Sequence, residues 1–327
     1  MTGQKDLKFN STIVVLPLRM KGERMDIALS EMIPIYSRSK ISTWIKCSNA
    51  TVNGKKFKPK DKSNGNEIIK LNIPYKKNNH WTPENISLDI VFEDDDIIVL
   101  NKPAGLVTHP GAGNWSGTLA NALLFHDSHL SSIDRSGIVH RLDKNTSGLM
   151  VVAKNSKSQK HLIEQMQNHS VSREYSAIVY GKMISGGTVD EPIGRHPQDR
   201  IKQAIRSNGK EAVTHYRVID RYASHTHVKA ILETGRTHQI RVHLAHIGYP
   251  LIGDSSYGGR VRFPKKANQE LKEALKAFKR QALHSKKLTL IHPVTGECMT
   301  WKIDLPQDMK ELIEKFDRYD LNIMRNK

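Results

Sequence analysis

Hydrophobic positions along this 327-residue chain change their period several times, and the changes mark its elements. Near the front, Met25-Asp-Ile-Ala-Leu-Ser-Glu-Met32 has helical spacing and predicts a short helix. Ser37 is a candidate N-cap for a second helix over Arg38 to Lys46, and Thr51-Val-Asn-Gly54 reads as a strand entering a tight turn. From Leu88 onward short β-rich runs recur at 88–92, 97–101, 175–181, 214–219, 228–233 and 288–291, interrupted by helical stretches. This pattern predicts a mixed α+β domain around a largely antiparallel sheet. Residues 73–87 are polar, carry two prolines and lack a period, so they are expected to link two domains. The expected boundaries are a front module at 1–72 with its core at about 23–72, the linker at 73–87, and a larger domain at 88–327.

Within the larger domain, Gly137-Ile-Val-His140 and Leu149-Met-Val-Val-Ala153 have the apolar, β-branched character of buried strands. Between them Asp143-Lys-Asn-Thr-Ser-Gly148 is rich in turn formers, which presents one carboxylate, Asp143, at an apolar strand end among cations. Taken alone, such an aspartate is accounted for by capping its own turn. Two later helices are expected. Thr237 is a candidate N-cap for residues 238–247, where Ile240, Leu244 and Ile247 share one face and Arg241 points away from it. Leu271, Leu275 and Phe278 make an apolar stripe in residues 268–280, with lysines on another face.

Charge then narrows the partners. Lys and Arg number 51 against 33 Asp and Glu, a net +18 that favours polyanions, with nucleic acid as the leading class. Residues 1–72 hold 14 Lys and Arg against 6 Asp and Glu, so the front module is itself basic. No apolar run approaches the ~18 residues of a spanning helix, and the stretch Ile13 to Leu16 is too short for the core of a signal peptide, so no membrane is implied and the cytoplasm is expected. Cys47 and Cys298 stand far apart with no CxxC, which indicates neither a disulfide framework nor a zinc knuckle; both are expected to be small buried hydrophobes. His238, His243 and His246 lack the spacing of a helical zinc site, and Asp94-Asp-Asp96 lies where a hairpin turn is needed, so no metal is expected.

His140-Arg-Leu-Asp143 with Thr146-Ser-Gly-Leu149, then Arg173-Glu-Tyr175, then Gly235-Arg-Thr-His-Gln-Ile-Arg-Val-His243, in that order, resemble the motifs of the RluA-type RNA pseudouridine synthases. The front module, with Arg24-Met-Asp26, Tyr36-Ser-Arg-Ser-Lys40 and Val52-Asn-Gly54, resembles the S4 RNA-binding domain that several members carry. Asn101-Lys-Pro103, His109-Pro-Gly-Ala-Gly113, Val213-Thr-His-Tyr216, Gly253-Asp254 with Tyr257-Gly-Gly259, and Arg280-Gln-Ala-Leu-His284 extend the likeness from about residue 23 to about 312. Met25 stands where the S4 pattern usually has Leu, and Ile201 to Glu211 departs from the usual basic sequence.

The resemblance implies an α+β protein in which a small S4-like domain precedes a pseudouridine synthase domain. Its reaction breaks the C1′–N1 bond of uridine and rejoins the base through C5. No nucleotide, redox group or other cofactor is implied, in keeping with the lack of a Walker loop, a GxGxxG after a strand and a cysteine cluster. Asp143 is then the essential carboxylate, either attacking C1′ or taking the C2′ proton. Arg241 keeps it ionised, and Tyr175 stacks on the uracil and serves in abstracting the C5 proton. Arg141 holds the flipped nucleotide or fills its place, while Arg24, Arg38, Lys40 and Lys55 contact RNA. The layout resembles members acting on a stem-loop of bacterial 23S ribosomal RNA, helix 69, which implies 23S rRNA or pre-50S particles as partners and no obligate protein partner. Two other readings stand beside it: a tRNA-modifying member of the same family, and a non-catalytic S4-type RNA-binding or ribosome-assembly protein, which leaves Asp143, Tyr175 and Arg241 without a role. A metal-dependent RNA hydrolase needs a ligand set that this chain does not assemble.

Overall fold

A computed structural model describes residues 9–325 apart from 35, 37, 75–80, 112 and 266, so the candidate cap Ser37 lies outside the described residues. The chain divides into two compact units, Met1–Asn79 and His80–Lys327. In the first, β1 (Phe9–Val15) is followed by α1 (Met25–Met32), α2 (Arg38–Lys46), β2 (Ala50–Val52) and β3 (Ile68–Pro74), with the strands in the antiparallel order β1-β3-β2. The helices form where the helical spacing places them, because Met25, Ala28 and Leu29 of α1 and Ile41, Trp44 and Ile45 of α2 close over Ile69 and Leu71 of the sheet. Met25 is 2% exposed, so it fills the space of the usual leucine at nearly constant volume. After β2 the chain reverses through Asn53 and Gly54, both at positive φ, with Val52 and Lys55 bonded to each other across the turn.

In the second unit β4 (Ile90–Glu93) and β5 (Ile97–Lys102) form a hairpin, whose turn is closed by Asp94 Oδ1 accepting the N–H groups of Asp96 and Ile97. Then follow α3 (Leu119–His126), β6 (Ser147–Ala153), α4 (Ser156–Gln167), β7 (Ser172–Tyr180), β8 (Gly187–Asp190), β9 (Ile193–Arg195), β10 (Gln203–Ile205), β11 (Val213–Arg221) and β12 (His225–Leu232). The unit ends with α5 (Gln239–His246), α6 (Gln269–Ala277), β13 (Leu283–Ile291), β14 (Cys298–Lys302) and α7 (Gln307–Arg325). The main sheet runs β4-β5-β6-β13-β7-β12-β11-β8, with β14 added on β13.

Every pairing in this sheet is antiparallel except β6 with β13, which meet in parallel at Ser147–His284 and Gly148–Ser285. Gly148, at φ 115°, permits that approach, since a Cβ there would lie 2.3 Å from the Ser285 carbonyl oxygen. Alternate residues of the central strands face two cores. Ile98, Leu100, Met150 and Val152 pack with Leu119, Leu123, Ile240 and Leu244, whereas Ile97, Val99, Leu149 and Val151 pack with Leu162, Leu288 and Leu290. The stripe Leu271, Leu275 and Phe278 is buried against Met309, Leu312 and Phe316 of α7.

Four details differ from the sequence reading. Residues 137–140 form no strand: Ile138 makes one bridge to Val152, because Arg135, Ser136 and Gly137 all adopt positive φ and turn the chain first. The cap of α5 is His238 rather than Thr237. The connector is narrower than residues 73–87, since β3 runs to Pro74 while Asn121 Nδ2 donates to Thr82 O, Glu84 N–H donates to Asn121 O, and Trp81 and Leu88 pack on the core of the second unit. Cys47 and Cys298 are exposed, not buried, because both sit at the margin of a short element rather than on its inner face. Among the described residues no helix is long and apolar enough to cross a membrane.

Candidate active site

A cleft of about 520 Å³ opens in the second unit and is lined by Asp143, Tyr175 and Arg241 together. Asp143 stands in the turn leading into β6. Its carbonyl oxygen accepts the turn's hydrogen bond from Thr146 N–H, and its carboxylate Oδ2 accepts from Arg241 Nη1 at 3.0 Å. The turn is held from both sides: Thr108 Oγ1 donates to Leu142 O, and Gly105 N–H donates to Lys144 O. Beneath it lies Lys102, wholly buried at the end of β5, whose Nζ donates to the carbonyls of Pro103, Leu106 and Lys144. Burial pushes this ammonium down to about 7, opposed by the charge of Asp143. Three carbonyl acceptors match the three N–H bonds that only the protonated form has.

Arg241 reaches the cleft from α5. Its Nε and Nη2 donate to the two oxygens of buried Asp254 at 2.7 and 2.9 Å, a bidentate pair, leaving Nη1 for Asp143. Burial alone would lower its pKa; the bonds to Asp254, then the charges of Asp254 and Asp143, outweigh this and raise it. Asp254 also accepts from the N–H groups of Ser256 and Tyr257, so it is fixed before it grips the guanidinium. His238, at φ 58°, places Nε2 3.8 Å from Asp143 Oδ1 and bonds Tyr257 OH through Nδ1. Burial lowers its pKa against the pull of Asp143. His238 supplies no capping side chain; Gln239, the first residue of α5, ties down the segment ahead of the helix, its Oε1 accepting from Arg236 N–H and Thr234 Oγ1.

Tyr175 projects from β7 and is 5% exposed; burial pushes its phenol up, partly offset by the nearby Arg173 charge, so it is un-ionised at neutral pH. Asp143 is the one carboxylate among the lining residues, against the arginines 135, 141, 173, 236 and 241. Arg141 is exposed at the cleft. His109 and His140 are neutral: burial first, and then neighbouring cations, push them down to about 4 and about 3. His140 Nε2 accepts the N–H of Val151, which pins the segment before Asp143 to β6.

The basic residues of the first unit have distinct surroundings. Arg24 and Arg38 converge on Asp26, with Arg24 Nε 3.0 Å from Oδ1 and Arg38 Nε 3.1 Å from Oδ2. Lys40 lies over the rings of Tyr36 and Trp44, and Lys55 is exposed in the turn after β2. Among the described residues one group, Asp94, Asp96 and His292, has the proximity of metal ligands. Its atoms are already engaged, Asp94 with turn amides and His292, and Asp96 with Asn155 and Ser158.

The sequence reading quoted Lys102, Arg173 and Asp254 within matched motifs and gave none of them a role; the structure places Lys102 against the Asp143 turn, Asp254 on Arg241 and Arg173 in the cleft wall. The available signals were the motif matches themselves, with a lysine soon after the apolar run Ile97-Ile-Val-Leu100, an arginine two residues before Tyr175, and an aspartate beside a glycine before a turn.

The chain belongs to the RNA pseudouridylate synthase family, whose model matches residues 96–246. It is 46% identical over 315 residues to the ribosomal large subunit pseudouridine synthase D of Xanthomonas campestris pv. campestris, covering 96% of this chain and 95% of that protein. It is 52% identical over 293 residues to the protein of the same name from Yersinia pestis, covering 89% and 90%. The solved structure of human RNA pseudouridylate synthase domain containing 4 superposes with a TM-score of 0.54 at 27% identity, over 70% of this chain and 93% of that one.

Proposed function

We propose that this protein isomerises uridine to pseudouridine in large-subunit ribosomal RNA, at a stem-loop of 23S rRNA, helix 69, with Asp143 as the reacting carboxylate. The observation that carries the reading is the Asp143–Arg241 contact of 3.0 Å inside a cleft that also holds Tyr175 and is otherwise lined by apolar residues, neutral polar groups and arginines. The target uridine leaves its stack at a cost of a few kcal/mol. Its uracil then lies against Tyr175, a stacking contact worth roughly 1–3 kcal/mol. Asp143 attacks C1′, or takes the C2′ proton to leave a glycal, as the C1′–N1 bond breaks and uracil departs as an anion. The base turns, C5 bonds C1′ as the Asp143–C1′ bond breaks or the C2′ proton is returned, and C5 then loses its proton while N1 takes one up. A departing alcohol needs a proton from a second carboxylate, whereas uracil leaves as a delocalised anion, so one carboxylate suffices. The bond change is internal to the nucleotide, with no net redox and no phosphate energy, and calls for no cofactor.

The names borne by relatives near 50% identity favour ribosomal over transfer RNA as substrate. Rim arginines such as Arg141 and an S4-like first unit, with Arg24, Arg38, Lys40 and Lys55, supply contacts to rRNA or pre-50S particles in the cytoplasm. RNA made with 5-tritiated uridine tests the reading. A synthase releases tritium and leaves the strand intact, a binder releases none, and a nuclease cuts it. Release from 23S fragments but not from tRNA is expected; release from tRNA alone would overturn the substrate assignment.

A further inference from the structure

Arg173 stands two residues before Tyr175 on β7, so both side chains leave the same face of the strand and both line the cleft. Its surroundings differ from those of Arg241. Arg173 is 5% exposed, its Nε has no hydrogen-bond partner among the described residues, and its Nη2 makes one long contact, 3.4 Å, to the Glu233 carbonyl. No carboxylate pairs with it among the described residues, although a buried guanidinium carries a large desolvation penalty without a counter-charge. Gly235 lies directly against it, where a Cβ would come 2.6 Å from Arg173 Nη1. The protein thus holds a planar, permanently charged fork at the cleft wall and leaves its Nε donor open.

We infer that Arg173 is a phosphate subsite, receiving a phosphodiester of the RNA strand next to the everted uridine. Nε and one terminal nitrogen donate to two phosphate oxygens, the bidentate geometry to which a guanidinium is suited. The neighbouring Arg236 is less available, because its Nε already donates to the Glu211 carbonyl. A phosphate bound here sets the strand beside Tyr175, so the base that enters the cleft is the one attached to that linkage. The inference rests on the proposed function, since it takes an RNA strand to be the cleft's occupant.

The test is single-turnover tritium release from a 23S fragment, with unaltered protein, Arg173→Ala and Arg173→Lys. The half-saturating RNA concentration is measured against salt, and methylphosphonate is placed at each linkage flanking the target in turn. Arg173→Ala is expected to raise the half-saturating concentration at least tenfold and to flatten the log-log salt slope by about 0.7–0.9, the share of a single neutralised phosphate. Arg173→Lys keeps the slope and recovers part of the affinity. One methylphosphonate linkage weakens the unaltered protein by the same factor and leaves Arg173→Ala unchanged. The inference is overturned if neither flanking methylphosphonate weakens the unaltered protein, an arm that does not require any variant to fold. It is also overturned if Arg173→Ala keeps the original half-saturation and slope. Failure of the functional reading looks different: no tritium release by the unaltered protein.

Discussion

Asp254 grips Arg241 along the guanidinium edge that faces away from Asp143, through contacts of 2.7 and 2.9 Å. The plane of the guanidinium is therefore set by a residue that does not reach the cleft, and Nη1 is delivered to Asp143 without a choice of rotamer. Replacing Asp254 with Ala is expected to lower single-turnover rate at least tenfold with little change in half-saturating RNA, since Arg241 would swing. Unfolding in denaturant should show a loss of about 3–5 kcal/mol, the usual cost of stranding one member of a buried ion pair. Asp254→Asn, which keeps one acceptor for the fork, should fall between. Full turnover by the Ala variant would show that Arg241 needs no anchor.

Asp143→Asn preserves the shape of the turn and removes its charge. The hydrogen bond from Thr146 N–H to the carbonyl of residue 143 and the Arg241–Asp254 pair remain, so the variant is expected to fold, to bind rRNA fragments within a few-fold of the unaltered protein, and to release no tritium. Substantial residual pseudouridine from the purified variant would remove Asp143 from the reaction.

The buried histidines set an acid limit on stability. Burial pushes His109, His225 and His284 down to about 4 and His140 to about 3, while the unfolded chain titrates near the ordinary value of about 6.5. Between these values the unfolded state binds protons that the folded state refuses, so the stabilisation is complete above pH about 6.5 and is lost as pH falls toward 4. Asp317 and Asp320, raised chiefly by burial, act in the opposite sense, from the ordinary carboxyl value upward. His225, stacked 4.4 Å from Phe316, is the position to change. His225→Phe should reduce proton uptake on unfolding in this window by about one, seen as a shallower dependence of unfolding free energy on pH. An unchanged slope would mean that His225 is protonated in the folded protein.

Deleting residues 1–79, the whole first unit, should weaken RNA binding and flatten its salt dependence, by about 0.9 in the log-log slope for each duplex phosphate that the unit neutralises. Filter binding across a salt series measures this. An identical slope would show that Arg24, Arg38, Lys40 and Lys55 do not touch RNA.

How much of this was legible in the chain depends on the range of the interaction. Helical spacing located α1 and α2, and short β-rich runs located most strands, because burial on one face or on both leaves a local imprint on sequence. The Asp143–Arg241 contact joins residues 98 positions apart, and no periodicity records a pairing at that distance. Asp254 was visible as part of the matched Gly253-Asp254 motif but without a role, since its meaning comes from the guanidinium it holds. The αL cap at His238 escaped because a threonine beside it has the better capping side chain, while His238 takes the position at positive φ with no side-chain cap bond at all. Residues 137–140 looked like a strand by composition, but three successive positive φ values ahead of Ile138 prevent it.

Among the described residues Lys102 grips main-chain oxygens and no side chain: those of Pro103, Leu106 and Lys144. Pro103, Ala104, Gly105 and Lys144 meanwhile turn outward into solvent. Anchoring by backbone atoms decouples the position of the turn from the identity of its outer residues. The rim around the aspartate can thus be resurfaced to suit a new RNA contour, one substitution at a time, while the footing under the carboxylate stays where it is.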